Sequence, residues 1–385
     1  MITWFWSHLT QPFVHTRYRF KKKTKNKLGW LCLAVSAVFG GCSPFYVMRA
    51  AYEEGKILWR REPITDYLTR ADLNPDVQEK LRLVLEVRDY ARDILKLNVG
   101  GSYSTYSYVD TPDLTYIVMA APQTELTPYT WWFLVVGRVP YKGFFSKEEA
   151  QVEAKGLQDK GYDTYIRTSA AFSTLGWFAD PLLGHLLRYD KVTLAAVVFH
   201  ELFHNTVYVK GAGAFNESIA NFIGHRAAID FFRQRAGETS PEYTEAVRAW
   251  GQEKEFADFL DGLVATLNEL YRRNIALEDK LRLRQEVFRR SKAEWTRRVS
   301  TGAAARFRGF ARQPLNNAVL MHYIIYLKNL QLFEALYDAE GSNLARFIAT
   351  IREPVQKGGE PFAVVQSLLN DKRRSAANRR TSVNP

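Results

Sequence analysis

The sequence predicts an α+β fold, mostly helical, with a small β-sheet confined to the first half of the chain. Three observations lead there. Through residues 44–98, and again from 189 to 370, apolar residues recur every three to four positions among charges, the period of helices with one buried face. Between them, Val99–Pro140 opens on Gly100-Gly101 and is rich in Tyr, Ser, Thr and Val, the composition of short strands and turns. The most apolar helical stretch, Lys191–Thr206, carries the pattern His200-Glu201-Leu202-Phe203-His204, and Asn216-Glu217 follows on the next helical stretch.

Taken in order, residues 42–98 read as N-terminal helices, Tyr46–Arg60 and Asp76–Leu97. Pro63 breaks the pattern, and Asn74-Pro75 supplies a helix start for the second. Residues 99–188 read as a small α+β sheet unit. Its strands are Tyr103–Asp110, Leu114–Ala121, Trp131–Val136 and Asp163–Ile166, with one covering helix, Lys147–Lys160. Thr168–Leu183 reads as a loop, aromatic enough (Phe172, Trp177, Phe178) to be either a buried connection or a wall of a cleft. Residues 189–370 read as a helical domain. After Lys191–Thr206, a turn at Gly211 and Gly213 leads into Ala214–Arg235. Glu242–Ser300 is heavily charged and reads as two surface helices or a hairpin; Asn316–Tyr337, Asn343–Ile351 and Phe362–Leu369 complete the set. The basic tail, 371–385, reads as disordered.

The net charge of +12 suggests nucleic acid until its distribution is counted. Residues 1–41 hold seven basic groups and no acid, and residues 371–385 hold five basic groups and one acid, which leaves the body near neutral at +1. A nucleic-acid partner is therefore not expected. The only cysteines, Cys32 and Cys42, precede the body, which has neither a disulfide nor a thiolate metal site.

The first 41 residues read as a signal peptide. Lys21–Lys27 is basic, and Leu28–Gly41 is an apolar run of 14 residues that ends at Cys42. That run is short of the roughly 20 residues a membrane span needs. Phe39-Gly40-Gly41-Cys42 resembles the bacterial lipobox, with Phe39 where the lipobox usually has Leu. The resemblance implies lipidation of Cys42 and an extracytoplasmic, membrane-anchored body; Ser43 resembles outer-membrane sorting in a Gram-negative host. An uncleaved signal anchor is the alternative, and it places the body on the same side. The aromatic lead of residues 1–20 suggests that translation starts downstream of Met1, which N-terminal sequencing of the precursor would test.

On a helix, His200 and His204 share one face, so two imidazoles can meet one ion. Glu201, about a third of a turn round, is placed to act as general base on the attacking water rather than as a ligand. A third ligand of the H-E-x-x-H-x-x-G-x-x-H kind is excluded, because Val207 and Lys210 stand where Gly and His would be needed. Glu217, 13 residues past His204 and across a glycine turn that lets two helices run antiparallel, supplies a carboxylate instead. Two imidazoles and one carboxylate, with a fourth position left for water, are the donor set of a catalytic zinc site holding one Zn²⁺. Candidates for stabilising the developing oxyanion or contacting substrate are His322, Tyr208, Tyr323, Tyr326 and His225, with Trp177 and Asp180 lining the cleft.

His200–His204 followed by Asn216-Glu217 and Asn221 resembles the gluzincin metallopeptidases. In that class an Asp four residues past the ligand Glu steadies the first His. Here Asn221 holds that position, and its amide accepts an imidazole N–H without adding charge. More widely, the chain resembles bacterial zinc-dependent aminopeptidases, many of them lipoproteins. The likeness runs through Arg60–Ile64, Gly137–Gly143, Ser173–Pro181, His200–His204 and Phe215–Ser218. It implies a zinc-dependent peptide hydrolase that removes N-terminal residues from peptides or proteins. The rival readings are an envelope endopeptidase and a non-catalytic metal-binding scaffold.

Overall fold

The computed structural model describes residues 55, 57–108, 115–133, 137–169, 179–300 and 305–381. It is 65% helical, with three small sheets in the first half: an α+β, mostly helical fold. The signal peptide, the lipobox with Cys42 and most of the expected helix Tyr46–Arg60 lie outside the described residues, as does Trp177. Among the described residues no helix is long and apolar enough to cross a membrane.

The first sheet joins β1 (Glu62–Pro63), β2 (Thr105–Ser107) and β8 (Leu182–Leu183), with β1 antiparallel and β8 parallel to β2. A single turn, α1 (Ile64–Tyr67), follows β1. Helix α2 (Pro75–Asp93) starts where Asn74-Pro75 predicts. The Asn74 side chain accepts from the Asp76 N–H at 2.9 Å, and Leu81, Val84, Val87 and Ala91 form its buried stripe.

The second sheet has the order β6-β3-β7, antiparallel throughout. Its centre is β3 (Thr115–Pro122), flanked by β6 (Lys142–Phe144) and β7 (Tyr162–Ser169). Strand periodicity divides β3 between two helices. Ile117, Met119 and Ala121 pack on Met321 and Ile325 of α9 (Asn317–Leu327). The alternate residues Val118 and Ala120 face the other way, toward α3 (Lys147–Gln158), which buries Ala150, Ala154 and Leu157. The third sheet is a hairpin of β4 (Trp131–Phe133) and β5 (Gly137–Val139). Strands β5 and β6 are three residues each, too short to show a period, and the sequence reading passes over them.

The second half is built on the pair α4 (Lys191–His204) and α5 (Gly213–Ala236). Around it lie α6 (Pro241–Arg272), α7 (Leu277–Ser300), the short α8 (Arg308–Arg312), α10 (Leu330–Ala339), α11 (Leu344–Arg352) and α12 (Pro361–Thr381). The charged stretch expected as two surface helices or a hairpin is the pair α6 and α7, and α6 buries one stripe, Ala246, Ala249, Trp250, Phe256, Leu260, Leu263 and Leu267, at helical spacing. Two expectations need correction. First, the predicted helix Asn316–Tyr337 is two helices. Asn329 adopts a left-handed backbone (φ 56°) that ends α9 and starts α10, a conformation Asn tolerates better than most residues. Second, the tail expected to be disordered continues α12 as far as Thr381; near its start Lys372 reaches the buried carboxylate of Glu340 at 2.8 Å.

One apolar core runs from Ile64 to Leu369, across the expected boundaries at 98/99 and 188/189. Polar ties cross the second boundary as well. Asp163 of β7 accepts from Arg284 Nη1 of α7 at 2.7 Å and from the Asn317 N–H of α9 at 2.9 Å, all three residues being buried.

Candidate metal centre

Helix α4 starts at Asp190, whose carboxylate accepts from the N–H and Oγ1 of Thr193. It buries Leu194, Ala195, Val198, Phe199, Leu202 and Phe203. Its two imidazoles stand at the C-terminal end, one turn apart. Helix α5 runs antiparallel to it, because Glu217 meets His200 and His204 while Gly224, two turns on, meets Ala196. A side chain at Gly224 would stand 2.5 Å from the Ala196 carbonyl oxygen, so only glycine permits this approach. The connecting turn uses Gly211 at φ +80° and is clamped by buried Asn216, which accepts from the Val209 N–H and donates to the Val209 carbonyl, at 2.9 and 2.8 Å. The Asn of Asn-Glu thus fixes the loop that presents the Glu.

Three donor atoms converge. His200 Nε2 and His204 Nε2 are 3.1 Å apart. Glu217 Oε2 lies 3.3 Å from the first and 3.9 Å from the second. Among the described residues this is the one group of three or more His, Cys, Asp or Glu side chains placed to share an ion. A tetrahedral Zn²⁺ with ligands at about 2.1 Å has donor–donor edges of about 3.4 Å. The observed separations bracket that edge, and two imidazoles with one carboxylate suit a first-row transition metal, zinc among them.

The electrostatics of the ligand-free cluster agree. Burial pushes His204 down to about 4, against the charge of Glu217, so it stays neutral and able to ligate. Burial also works against a charged His200, but the hydrogen bond to Glu217 and the charges of Glu201 and Glu217 outweigh it and raise that imidazole. Burial would raise Glu217, yet His200 and His204 hold it below the usual carboxylate value. The two shifts run in opposite directions, as in an ion pair, and a cation between these groups would compete with that pairing.

The charge of Glu201 reaches the same surroundings. Burial raises the phenols of Tyr103, Tyr141 and Tyr326, and the charge of Glu201 adds to it in all three; that of Glu217 adds in Tyr141 and Tyr326. Tyr326 lies with its ring 6.2 Å from that of His200, and its hydroxyl accepts from Arg167 Nη2 at 3.3 Å. Tyr103, Tyr141 and Arg167 were not among the sequence candidates. They come from the turn before β2, the connection between β5 and β6, and β7, and no spacing links them to α4. The signal at hand for Tyr141 was its place in the Gly137–Gly143 stretch.

The other candidates divide. Tyr208 is close enough to Glu217 to feel its charge. His322 stands one layer back, its ring 5.8 Å from Tyr326 and 5.6 Å from Tyr165. Burial, followed by the charge of Arg167, pushes it down to about 3. His225 is not at the cluster; it pairs with buried Glu253 at 3.4 Å. Tyr323 packs on Phe256 and Phe310. Asp180 is buried beside Tyr103, whose N–H donates to the Asp180 carbonyl at 2.7 Å. Asn221 does not do what its position suggests. Its amide donates to the Tyr326 carbonyl at 3.2 Å and helps lower the pKa of Glu253, and neither imidazole is among its partners. With Ser218, which donates to the Ile325 carbonyl at 3.0 Å, it caps the end of α9 and so sets where Tyr326 stands. A cavity of about 220 Å³ lies at the start of α5, between Arg138, Pro140, Gly213, Phe215, Lys328 and Phe362; its lining includes none of the three donors.

The family described as "Putative aminopeptidase" matches residues 45–359, most of the chain and all of this cluster, and the chain belongs to that family. No curated protein and no solved structure matches it.

Proposed function

Starting from membership of that family, we propose that the protein is a zinc-dependent peptide hydrolase that removes N-terminal residues. The observation that carries the reading is the convergence of His200 Nε2, His204 Nε2 and Glu217 Oε2 within 3.9 Å of one another, next to Glu201. Zinc held by these three side chains would supply Lewis acidity to the scissile carbonyl and to a water. Glu201, on the same helix but turned off the ligand face, takes the proton of that water and passes it to the leaving amine. Tyr326 is placed to donate its hydroxyl hydrogen to the carbonyl oxygen as charge develops there. The phenol oxygen accepts from Arg167, which fixes its direction and leaves its own hydrogen free. Burial keeps that phenol protonated.

The body is further proposed to work outside the cytoplasm on a lipid anchor at Cys42. The support is in the sequence: basic Lys21–Lys27, apolar Leu28–Gly41 and the lipobox-like Phe39–Cys42.

The test is metal content and peptide hydrolysis of wild type against Glu201→Gln. The wild type should hold one zinc per chain and cleave peptides with a free N-terminus. The variant should keep its zinc and lose hydrolysis by at least about 10²-fold. A zinc-loaded wild type that cleaves no peptide in a broad library would leave a metal-binding scaffold. Cleavage of N-terminally blocked peptides would make it an endopeptidase.

A further inference from the structure

Strand β7 pairs Arg167 with Ile117 of β3 and sends its side chain toward α9 and the metal cluster. Several partly buried cations in this molecule have acids beside them: Arg284 faces Asp163, Arg226 faces Glu334, Lys80 faces Asp76 and Lys142 faces Glu153. Others, Arg88, Lys280 and Lys292, are spent on backbone carbonyls. Arg167 has no acid beside it and is the one that reaches the metal cluster's surroundings through Tyr326. Its partners are neutral: the Tyr326 hydroxyl for Nη2, at 3.3 Å, and the Thr168 carbonyl for Nη1, at 3.4 Å. Its Nε is buried with no hydrogen-bond partner, and among the described residues no carboxylate lies within ion-pair distance of the guanidinium. A half-buried guanidinium that feels Glu217 only at a distance, with no carboxylate in contact, is poised to take an anion at hydrogen-bond range.

Its place says what that is. Tyr326 is the link, with its hydroxyl on Arg167 and its ring beside His200. The charge of Arg167 reaches Glu217 and His322 as well. Of five N–H groups, two are used by the neutral partners, and one remains on each Nη. That is the fork that takes a carboxylate through two parallel hydrogen bonds. We propose that Arg167 binds a carboxylate of the substrate close to the cleaved bond, so that the enzyme prefers short peptides whose free C-terminal carboxylate lies within a residue or two of that bond. This rests on the peptide-hydrolase reading and adds its substrate class. An acidic side chain near the cleaved bond would present the same chemistry, and the test separates the two sources.

The zinc-loaded protein is given three substrates of one length: a dipeptide with a free carboxylate, its C-terminal amide, and the amide carrying Glu in place of the second residue. The wild type should favour the free acid over the neutral amide by about tenfold or more in kcat/KM, mainly through KM. In Arg167→Gln that ratio should fall to near one, whatever happens to the absolute rate, and Arg167→Lys should recover part of it. Tyr326→Phe should slow both substrates and keep the ratio. A Glu amide that matches the free acid would assign Arg167 to acidic side chains, overturning the C-terminal preference. A wild-type ratio near one, or a ratio unchanged in Arg167→Gln, would overturn the proposal and leave Arg167 as the group that positions Tyr326. Binding without turnover keeps this apart from the hydrolase reading itself. In calorimetry, zinc-loaded Glu201→Gln should bind N-acetyl-leucine more tightly than N-acetyl-leucinamide, and adding Arg167→Gln should remove the difference. No difference in the Glu201→Gln protein would count against Arg167 even if hydrolysis stands.

Discussion

His200, His204 and Glu201 are legible in the sequence because their relation is local: four and one positions apart on a helix decide which side chains share a face. Glu217 is legible because a glycine turn allows two helices to fold back on each other. Arg167 is contributed by a strand, and Tyr103 and Tyr141 by the connections beside strands, whose pairing no spacing announces, and Asn221 keeps its place in the pattern while its hydrogen bonds run to Tyr326 and Glu253. Two predictions follow from individual side chains. His204→Ala and Glu217→Gln should each lose bound zinc under dialysis conditions in which Glu201→Gln retains it, measured by metal analysis per chain. The second concerns acid. Burial pushes His185 down to about 4 and His322 down to about 3, and neither Nδ1 has a hydrogen-bond partner. Above pH 6.5 both are neutral, folded or unfolded. Below it the unfolded chain takes up protons that the folded chain refuses, so stability falls as pH drops from about 6.5 toward 4, by about 1.4 kcal/mol per pH unit for each histidine. Urea melts of metal-free protein at pH 7.5, 6 and 5 measure the slope. His185→Leu should flatten it by one proton; an unchanged slope would remove His185 from the account.

At the scale of elements, the centre is the α4–α5 pair, and its closeness is written at Gly224. The sequence shows a glycine there inside a helix, which by itself is a weak signal. The reason appears only when the Ala196 carbonyl is found opposite. Gly224→Ala should push the helices apart, cost about 1–3 kcal/mol in denaturant melts, and weaken zinc binding by moving Glu217 away from the imidazoles. Retained affinity would mean that the pair absorbs the methyl elsewhere. Helix extents were mostly legible from period and caps: Asn74, Ser146, Asp190 and Ser240 all accept from first-turn N–H groups. What period does not show is a break at a non-glycine residue, Asn329, or a charged tail that continues a helix as far as Thr381.

At the scale of the whole molecule, one core spans the N-terminal helix, β2, β8 and the helical half, a second apolar cluster joins β3 to α9, and Asp163, Arg284 and Asn317 tie the sheet to the helices. Asp163→Asn leaves Arg284 buried without its counter-charge, and should cost about 3–5 kcal/mol in a single unfolding transition that includes both halves. Two separate transitions would contradict a shared core. This packing is what brings Arg167 and Tyr141, from the sheet and its connections, to a cluster whose candidate ligands lie on helices. The most direct test of the central claim is diffraction from zinc-loaded crystals at the zinc absorption edge. The account predicts one anomalous peak per chain, within about 2.0–2.2 Å of His200 Nε2, His204 Nε2 and a Glu217 oxygen. A peak elsewhere, or Glu217 turned away from the two imidazoles at full zinc occupancy, would contradict it.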